Sequence, residues 1–280
     1  MRRGGIAILL HLSGVGHLND LGILREYYDL GVRMIHCGFQ DYEDPDRNYH
    51  AGRLDENGIK TIEEMKRLGI IVDMAHINTE GFDDIVPRLE GIPFVYSHGG
   101  CHALVQHERN LDDARIARIA ESGGVYGIGV YIDPVSIGGI GAANKTNEEV
   151  FKRIAEGRAQ RQNEIASSSA SVRDFIMRRY SQSYWQDWEV RELARQKGFA
   201  MRSSIHHIVA HMKYLKENFG PEITGFGPDF EFSYGYVAGL EEADKTPSLT
   251  RELLAAGFSE AETQGTMGHN FMRVFEDVLG

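Results

Sequence analysis

Short apolar runs alternate with amphipathic segments along most of this chain, and the alternation predicts its secondary structure. Six runs rich in β-branched and aromatic residues predict buried strands at residues 6–12, 32–37, 70–76, 93–98, 124–131 and 223–229. Apolar positions at helical spacing predict helices at residues 21–30, 58–68, 78–89, 111–122, 204–218 and 271–279. Because strands and helices follow one another in turn, we expect an α/β fold with a parallel sheet.

Two segments do not follow this alternation of strands and helices. Residues 145–204 are rich in Arg, Gln and Glu and show no strand pattern, so they predict a helical insertion with a solvated surface. The alternative interpretation is that this surface contacts a partner or another subunit. Residues 38–55 form a polar loop that is too long for a simple connector, which indicates a lid or a substrate loop.

Composition narrows the class of protein. The length of 280 residues allows one large α/β domain or two small ones, and a single domain, residues 1–280, is expected. The net charge of −11 argues against a nucleic-acid-binding surface. Two cysteines, Cys37 and Cys101, are too few for a disulfide framework, so a reducing compartment such as the cytoplasm is expected. No apolar run is long enough to cross a bilayer, so no membrane contact is expected.

Two histidines stand at the ends of consecutive predicted strands. His76 closes the run at residues 70–76, and His98 closes the run at residues 93–98. A helix between two parallel strands brings their carboxyl ends to one rim, where barrel enzymes keep their chemistry. Neutral imidazole is a common zinc ligand, so a shared metal site is one interpretation. The other is that each histidine is a core residue bonded to a backbone carbonyl.

Two charged residues are further candidates for chemistry. Asp229 follows a Gly-Phe-Gly-Pro turn at the end of the last predicted strand, where a carboxylate can act as a general base or hold a substrate amine. Arg109 follows His98 in a loop, where a guanidinium can bind a substrate carboxylate in bidentate fashion. A turn aspartate and a solvated surface arginine are the alternatives.

Several stretches in a fixed order resemble the renal (membrane) dipeptidase family of zinc metallopeptidases. They include VDMAH at residues 72–76, SHGG at 97–100, HERNLDD at 107–113 and GFGPDF at 225–230. The resemblance implies a TIM-barrel-like (β/α)8 fold, a pair of bridged zinc ions and dipeptide substrates. It also implies roles for four residues: His76 and His98 as zinc ligands, Arg109 as the partner of the substrate carboxylate, and Asp229 near the substrate amine, where it handles protons.

The chain also departs from that family. The His-x-Asp pair of the first family strand has no counterpart, and Ser13 stands where the family has a glutamate that bridges both metals. The family's substrate histidine falls near Phe39, with His36 close by. Catalytic zinc usually has three protein ligands. The candidates for the third are His11, His36 or an acid of the loop at residues 38–55.

These departures leave the fold and the function with alternatives. The barrel is expected to be incomplete, missing the first two strands, so that the open sheet edges need a cover. A partner subunit, the insertion or an upstream segment can shield these edges. We expect a partner subunit, and hence a homo-oligomer. The expected function is hydrolysis of dipeptides with zinc-activated water on one or two zinc ions. The alternative is a descendant of the fold with one metal or none, which acts as a binding or scaffold protein.

Overall fold

The structure is a computed structural model that describes residues 8–13, 20–36, 53–107, 110–129, 167, 203–230, 237–240 and 243–280. The chain divides into two compact units. The first comprises Met1–Ile132, Ile208–Pro228 and Thr250–Gly280, and the second comprises Asp133–His207 and Asp229–Leu249. The expected single domain, residues 1–280, stays a prediction. The predicted insertion at residues 145–204 and most of the predicted lid loop at residues 38–55 lie outside the described residues.

The first unit contains a parallel six-stranded sheet whose strands follow one another in sequence order. The strands are β1 (Leu10–Ser13), β2 (Val32–His36), β3 (Ile71–Asp73), β4 (Val95–Gly99), β5 (Val125–Ile128) and β6 (Thr224–Phe226). Every neighbouring pair is parallel. The prediction of an α/β fold with six parallel strands is therefore confirmed. Within the described residues, β1 and β6 are the edges of the sheet, which does not close into a barrel.

Helices follow most of the strands. They are α1 (Leu21–Asp29), α2 (Glu56–Leu68), α3 (Thr79–Leu89), α4 (Asp113–Glu121), α5 (Ile205–Phe219), α6 (Thr246–Ala255), α7 (Glu260–Gln264) and α8 (Asn270–Leu279). Short 3-10 helices cover Pro221–Ile223 and Ala243–Lys245, and a π-helical turn at Gly265–His269 joins α7 to α8. Six of these helices match the predicted ones, whereas α6 and α7 were not predicted from the sequence.

The helices that follow β1 to β4 begin in the same way. Asp20, Asp55, Asn78 and Asp112 each precede a helix and accept a hydrogen bond from a backbone N–H of its first turn. This bond satisfies one of the N–H groups that a helix start leaves without an intrahelical acceptor. The capping residues thus define where each loop from the carboxyl edge of the sheet ends.

One row of apolar side chains crosses the sheet and packs on the last helix. Met34, Ile71, Val95 and Val125 come from four neighbouring strands and contact Val274 of α8. The partly buried side chains packed against this row are Leu9, Phe271, Phe275, Val278 and Leu279. Burial of this apolar surface holds the carboxyl-terminal helix to the sheet and stabilises the strands from β2 to β5 against one another.

An ion-paired carboxylate ties α1 to α2. The Glu64 side chain is 8% exposed and accepts hydrogen bonds from the Arg67 Nε at 2.7 Å and from the Arg25 Nε at 2.6 Å. The hydrogen bonds from Arg67 and then Arg25 outweigh the effect of burial and lower the pKa of Glu64 to about 2. Glu64 therefore stays ionised in the folded chain over most of the acidic range.

Replacing Glu64 by glutamine should lower the free energy of unfolding at pH 7 by about 1–3 kcal/mol, because both guanidinium groups lose a charged acceptor. The pKa of Glu64 is lower in the folded chain than its ordinary value of 4.5. The stabilisation is therefore fully present above that value and is lost as the pH falls toward 2. Urea unfolding at pH 7 and pH 3 should show a deficit that shrinks in acid, and an equal deficit at both pH values would contradict the assignment.

Candidate functional site

The strand that leads to His76 ends earlier than the apolar run predicts. The run at residues 70–76 predicts a strand through His76, but β3 ends at Asp73. The Asp73 Oδ1 accepts the N–H of Ala75 at 3.0 Å, which bends the chain into an Asx-type turn. His76 then adopts a φ of +65°, a left-handed conformation that is uncommon for residues other than glycine. Such an outlier, held by its surroundings, points to a functional position.

His98 lies inside β4, one residue before the strand ends. The Ser97 Oγ lies 2.8 Å from the His98 Nδ1, so this nitrogen has a hydrogen-bond partner on its own strand. A partner at one ring nitrogen sets the orientation of the ring and leaves the other nitrogen to face a ligand. His98 is thus oriented by its own strand, whereas the turn after β3 positions His76.

The two predicted histidines meet. The Nε2 atoms of His76 and His98 lie 2.7 Å apart, and the ring centroids are separated by 4.7 Å. The meeting follows from the parallel pairing of β3 with β4, which brings both strand ends to the same edge of the sheet. A third imidazole joins them, because the ring of His36, at the end of β2, lies 4.7 Å from that of His76 in an edge-on arrangement.

A buried carboxylate lies beside the histidines. The Asp73 side chain is fully buried, and its Oδ2 lies 3.2 Å from the His11 Nε2. Burial opposes ionisation, but the close imidazole of His11 and those of His36 and His98 outweigh it and hold the pKa of Asp73 well below its usual range. The carboxyl edge of β1 to β4 therefore carries an ionised acid among four histidines.

Glycines on the neighbouring strands leave room for the end of β4. A Cβ atom at Gly127 or Gly227 would lie only 2.0 Å or 1.8 Å, respectively, from the carbonyl oxygen of Ser97. Only glycine lets β5 and the end of β6 approach this carbonyl so closely. These two glycines therefore help to define where the segment that carries His98 lies.

The loop after β4 is held by buried polar groups. Asn110 accepts the N–H of Gly100 at 2.8 Å, and the hydroxyl of Tyr126 donates to the Gly100 carbonyl. The N–H of Cys101 donates to the His211 Nδ1 of α5 at 2.8 Å. Burial, together with the charge of Asp113, raises the pKa of the Cys101 thiol, so this cysteine stays protonated and has a structural role.

The histidine pair fits a metal ion as two ligands. The two Nε2 atoms converge on one point, which is the arrangement that imidazole ligation requires. Among the described residues, however, no group of three or more His, Cys, Asp or Glu side chains is arranged to hold a metal. Ser13, where the family resemblance expects a bridging glutamate, has its hydroxyl 3.4 Å from the His36 Nδ1.

Two predicted site residues are not among the described residues of the first unit. Arg109 is outside the described residues. Asp229 follows β6 by three residues in the chain, belongs to the second unit and has a left-handed φ of +48°. Within the first unit, the structure brings together His76 and His98, and their role as ligands stays a prediction, as do the roles of Arg109 and Asp229.

Sequence reasoning missed the organising residue of this edge, Asp73. One signal in the sequence pointed to it, because an acidic residue interrupts the otherwise apolar run at residues 70–75. A charge inside a buried strand needs specific partners and is a reason to expect a site. His211 was also missed, and its contact with Cys101 joins positions that are 110 residues apart in the sequence.

A parallel α/β sheet with histidines at its carboxyl edge is the arrangement in which barrel enzymes place their active sites. The chain matches the profile of the membrane dipeptidase family (peptidase family M19) over residues 1–279. It therefore belongs to that family, and the predicted family is confirmed.

Individual relatives agree with the assignment. The chain is 26% identical to dipeptidase aclJ of Aspergillus oryzae over 282 residues, which is 98% of this chain and 52% of the relative. The probable dipeptidase PvdM of Pseudomonas aeruginosa has a similar structure, with a TM-score of 0.69 and 21% identity over 98% of this chain and 70% of the other. A metallopeptidase of Rhodobacter sphaeroides, solved with a phosphinate mimic of the dipeptide L-Ala-D-Ala, has a TM-score of 0.66 and 20% identity over 96% and 63%.

The structural matches confirm the TIM-barrel-like fold class. The chain spans about half the length of the curated relatives that it matches.

Proposed function

We propose that this protein is a metal-dependent dipeptidase that hydrolyses the peptide bond of dipeptides. The observation that carries the proposal is the convergence of the His76 and His98 Nε2 atoms at the carboxyl edge of a parallel sheet. Membership of the membrane dipeptidase family supports it. Relatives named as dipeptidases and a structural neighbour that holds a dipeptide mimic support this substrate class.

In the proposed site His76 and His98 would hold a zinc ion. A bound zinc ion lowers the pKa of its water ligand and polarises the carbonyl group of the substrate. Arg109 binds the substrate carboxylate through a bidentate pair of hydrogen bonds. By the family resemblance, Asp229 would receive and return protons near the substrate amine. The partner is thus a small dipeptide-like substrate.

Substituting either histidine tests the metal assignment. His76→Ala and His98→Ala should each abolish metal binding and dipeptide hydrolysis together, because the remaining ligand holds zinc too weakly. Elemental analysis of protein purified without chelator, alongside a hydrolysis assay, measures both. His206→Ala, which removes an exposed histidine of α5, should leave both unchanged. Hydrolysis that persists in the His76 and His98 variants would rule out the proposed site.

Substituting Arg109 tests the substrate assignment. Arg109→Ala should reduce kcat/KM for a dipeptide by the equivalent of on the order of 2–4 kcal/mol, mainly through KM, because a desolvated partner of the carboxylate is lost. Arg109→Lys should fall in between, since a lysine keeps the charge without the bidentate geometry. Steady-state kinetics with the metal-loaded enzyme measures the effect, and an unchanged kcat/KM in Arg109→Ala would show that another group binds the carboxylate.

Ser13 favours a second candidate function, a hydrolase with one metal ion in place of the bridged zinc pair that the family resemblance implies. A serine hydroxyl does not bridge two zinc ions as a carboxylate does. Elemental analysis separates the possibilities, because about two metals per chain indicate the bridged pair and about one indicates a mononuclear hydrolase. A metal-free protein would indicate the scaffold alternative, which family membership does not favour.

The location and the partners follow from other features. No described helix is both long and apolar enough to span a bilayer. A cytoplasmic location stays a prediction that rests on the low cysteine content. The acidic net charge supports the prediction that nucleic acid is not a partner.

The exposed sheet edge supports a homodimer. Within the described sheet β1 pairs with β2 alone, and Ile8, Leu10 and Leu30 expose apolar side chains in and beside this edge pair. Two copies of one edge are self-complementary, because an antiparallel pair of identical strands has twofold symmetry. The pairing would bury the exposed side chains and satisfy the backbone groups of the edge.

A charge at this edge should separate the subunits. The wild-type chain should sediment as a dimer in analytical ultracentrifugation, and Leu10→Lys should sediment as a monomer because a buried lysine opposes pairing. Leu254→Lys, at a comparably exposed leucine of α6, should leave the dimer intact. A monomeric wild-type chain, or a dimeric Leu10→Lys variant, would exclude this interface.

A further inference from the structure

One carboxylate lies where β3 and β4 stop pairing. The two strands share a single register pair, Asp73 with Val95, followed by a hydrogen bond of 2.8 Å from the Met74 N–H to the Val95 carbonyl. Beyond this point the chain after β3 turns toward His76, while β4 continues to Gly99. Past this point the two segments are joined through the Asp73 side chain, which is fully buried.

A single oxygen atom makes that contact. The Asp73 Oδ1 accepts the N–H of Ala75 at 3.0 Å and the N–H of Ser97 at 2.9 Å. Ala75 immediately precedes His76, and Ser97 immediately precedes His98. The peptide groups that precede His76 and His98 are therefore both hydrogen-bonded to the Asp73 Oδ1.

The second oxygen of Asp73 extends the contact to another strand. The Oδ2 lies 3.2 Å from the His11 Nε2 of β1, which is two strands away from β3 in the sheet. A buried carboxylate without such partners would be strongly destabilising. The groups that stabilise the Asp73 carboxylate therefore either precede a candidate ligand in the chain or lie beside the candidate site.

We propose that Asp73 is the positioning residue of this site, and that its Oδ1 sets the separation of the His76 and His98 rings and so the affinity for a metal ion. The inference rests on the proposed role of the two histidines as ligands. Groups that orient metal ligands affect affinity without contacting the metal, and their loss typically costs about 10–100-fold in binding. Asp73 acts through the backbone that precedes each ligand.

Two substitutions at Asp73 separate positioning from simple support of the fold. Asp73→Ala removes the acceptor of both N–H groups. Asp73→Asn keeps an amide oxygen in place of the Oδ1 and loses only the charge that faces His11. Positioning through the Oδ1 therefore predicts that the asparagine variant rescues most of what the alanine variant loses. Glu64→Gln is the matched control, because it removes another buried, ion-paired carboxylate that lies between α1 and α2.

The experiment uses the full chain and cobalt(II) as the probe, with its visible absorption bands as the readout. Asp73→Ala should raise the Kd for cobalt(II) on the order of 10–100-fold. It should also shift the imidazole ¹H–¹⁵N signals of His76 and His98 in metal-free protein. Asp73→Asn should stay close to the wild type in both measurements. Glu64→Gln should lower the stability and leave the Kd and both ring signals unchanged.

Each contrary result has a defined meaning. If Asp73→Ala keeps the wild-type Kd and ring signals, or if both Asp73 variants lose affinity equally, positioning through the Oδ1 is wrong. If the wild-type chain binds no cobalt(II), the proposed metal site fails, while the ring signals still decide whether Asp73 positions the histidines. If Asp73→Ala does not fold, hydrogen exchange is measured on the wild-type chain instead. Slow exchange of the Ala75 and Ser97 N–H groups supports the inference, and rapid exchange overturns it.

Discussion

A buried negative charge governs the carboxyl edge of this sheet. A carboxylate that is fully removed from water is stable only when hydrogen bonds and opposite charges replace its hydration. For Asp73 those replacements are the N–H groups of Ala75 and Ser97 and the imidazole of His11. Satisfying this one charge requires three segments of the chain to lie in a single arrangement, and the candidate ligands are attached to two of them.

The parallel topology decides what this arrangement does chemically. Side chains at the ends of β2, β3 and β4 reach the same edge, so three imidazoles lie side by side at His36, His76 and His98. The chain belongs to the membrane dipeptidase family. This chain nevertheless has the Ser13 hydroxyl where that resemblance expects a bridging carboxylate, and the described side chains offer no three-donor metal cluster. The histidine pair is the part of the site that family and geometry both support.

Most of the fold was predictable because its elements depend on local patterns. Each of the six apolar runs became a strand, although the strands are shorter than the runs. The run at residues 70–76 includes Met74 and Ala75, which are buried without being in the strand, so hydrophobicity alone overestimates its length. The helices α6 and α7 were not predicted because α6 buries only two side chains, Leu249 and Leu253, and α7 spans five residues.

The sequence by itself determined the order of strands and helices, the family and the meeting of His76 with His98, because these follow from periodic patterns, ordered motifs and the rule for parallel crossovers. Only the tertiary structure decided that β3 ends at Asp73, that His76 is left-handed and that His211 contacts Cys101. The physical reason is that a buried polar group takes its partners from whatever the fold brings near. Those partners come from distant positions in the chain, which no local pattern of residues specifies.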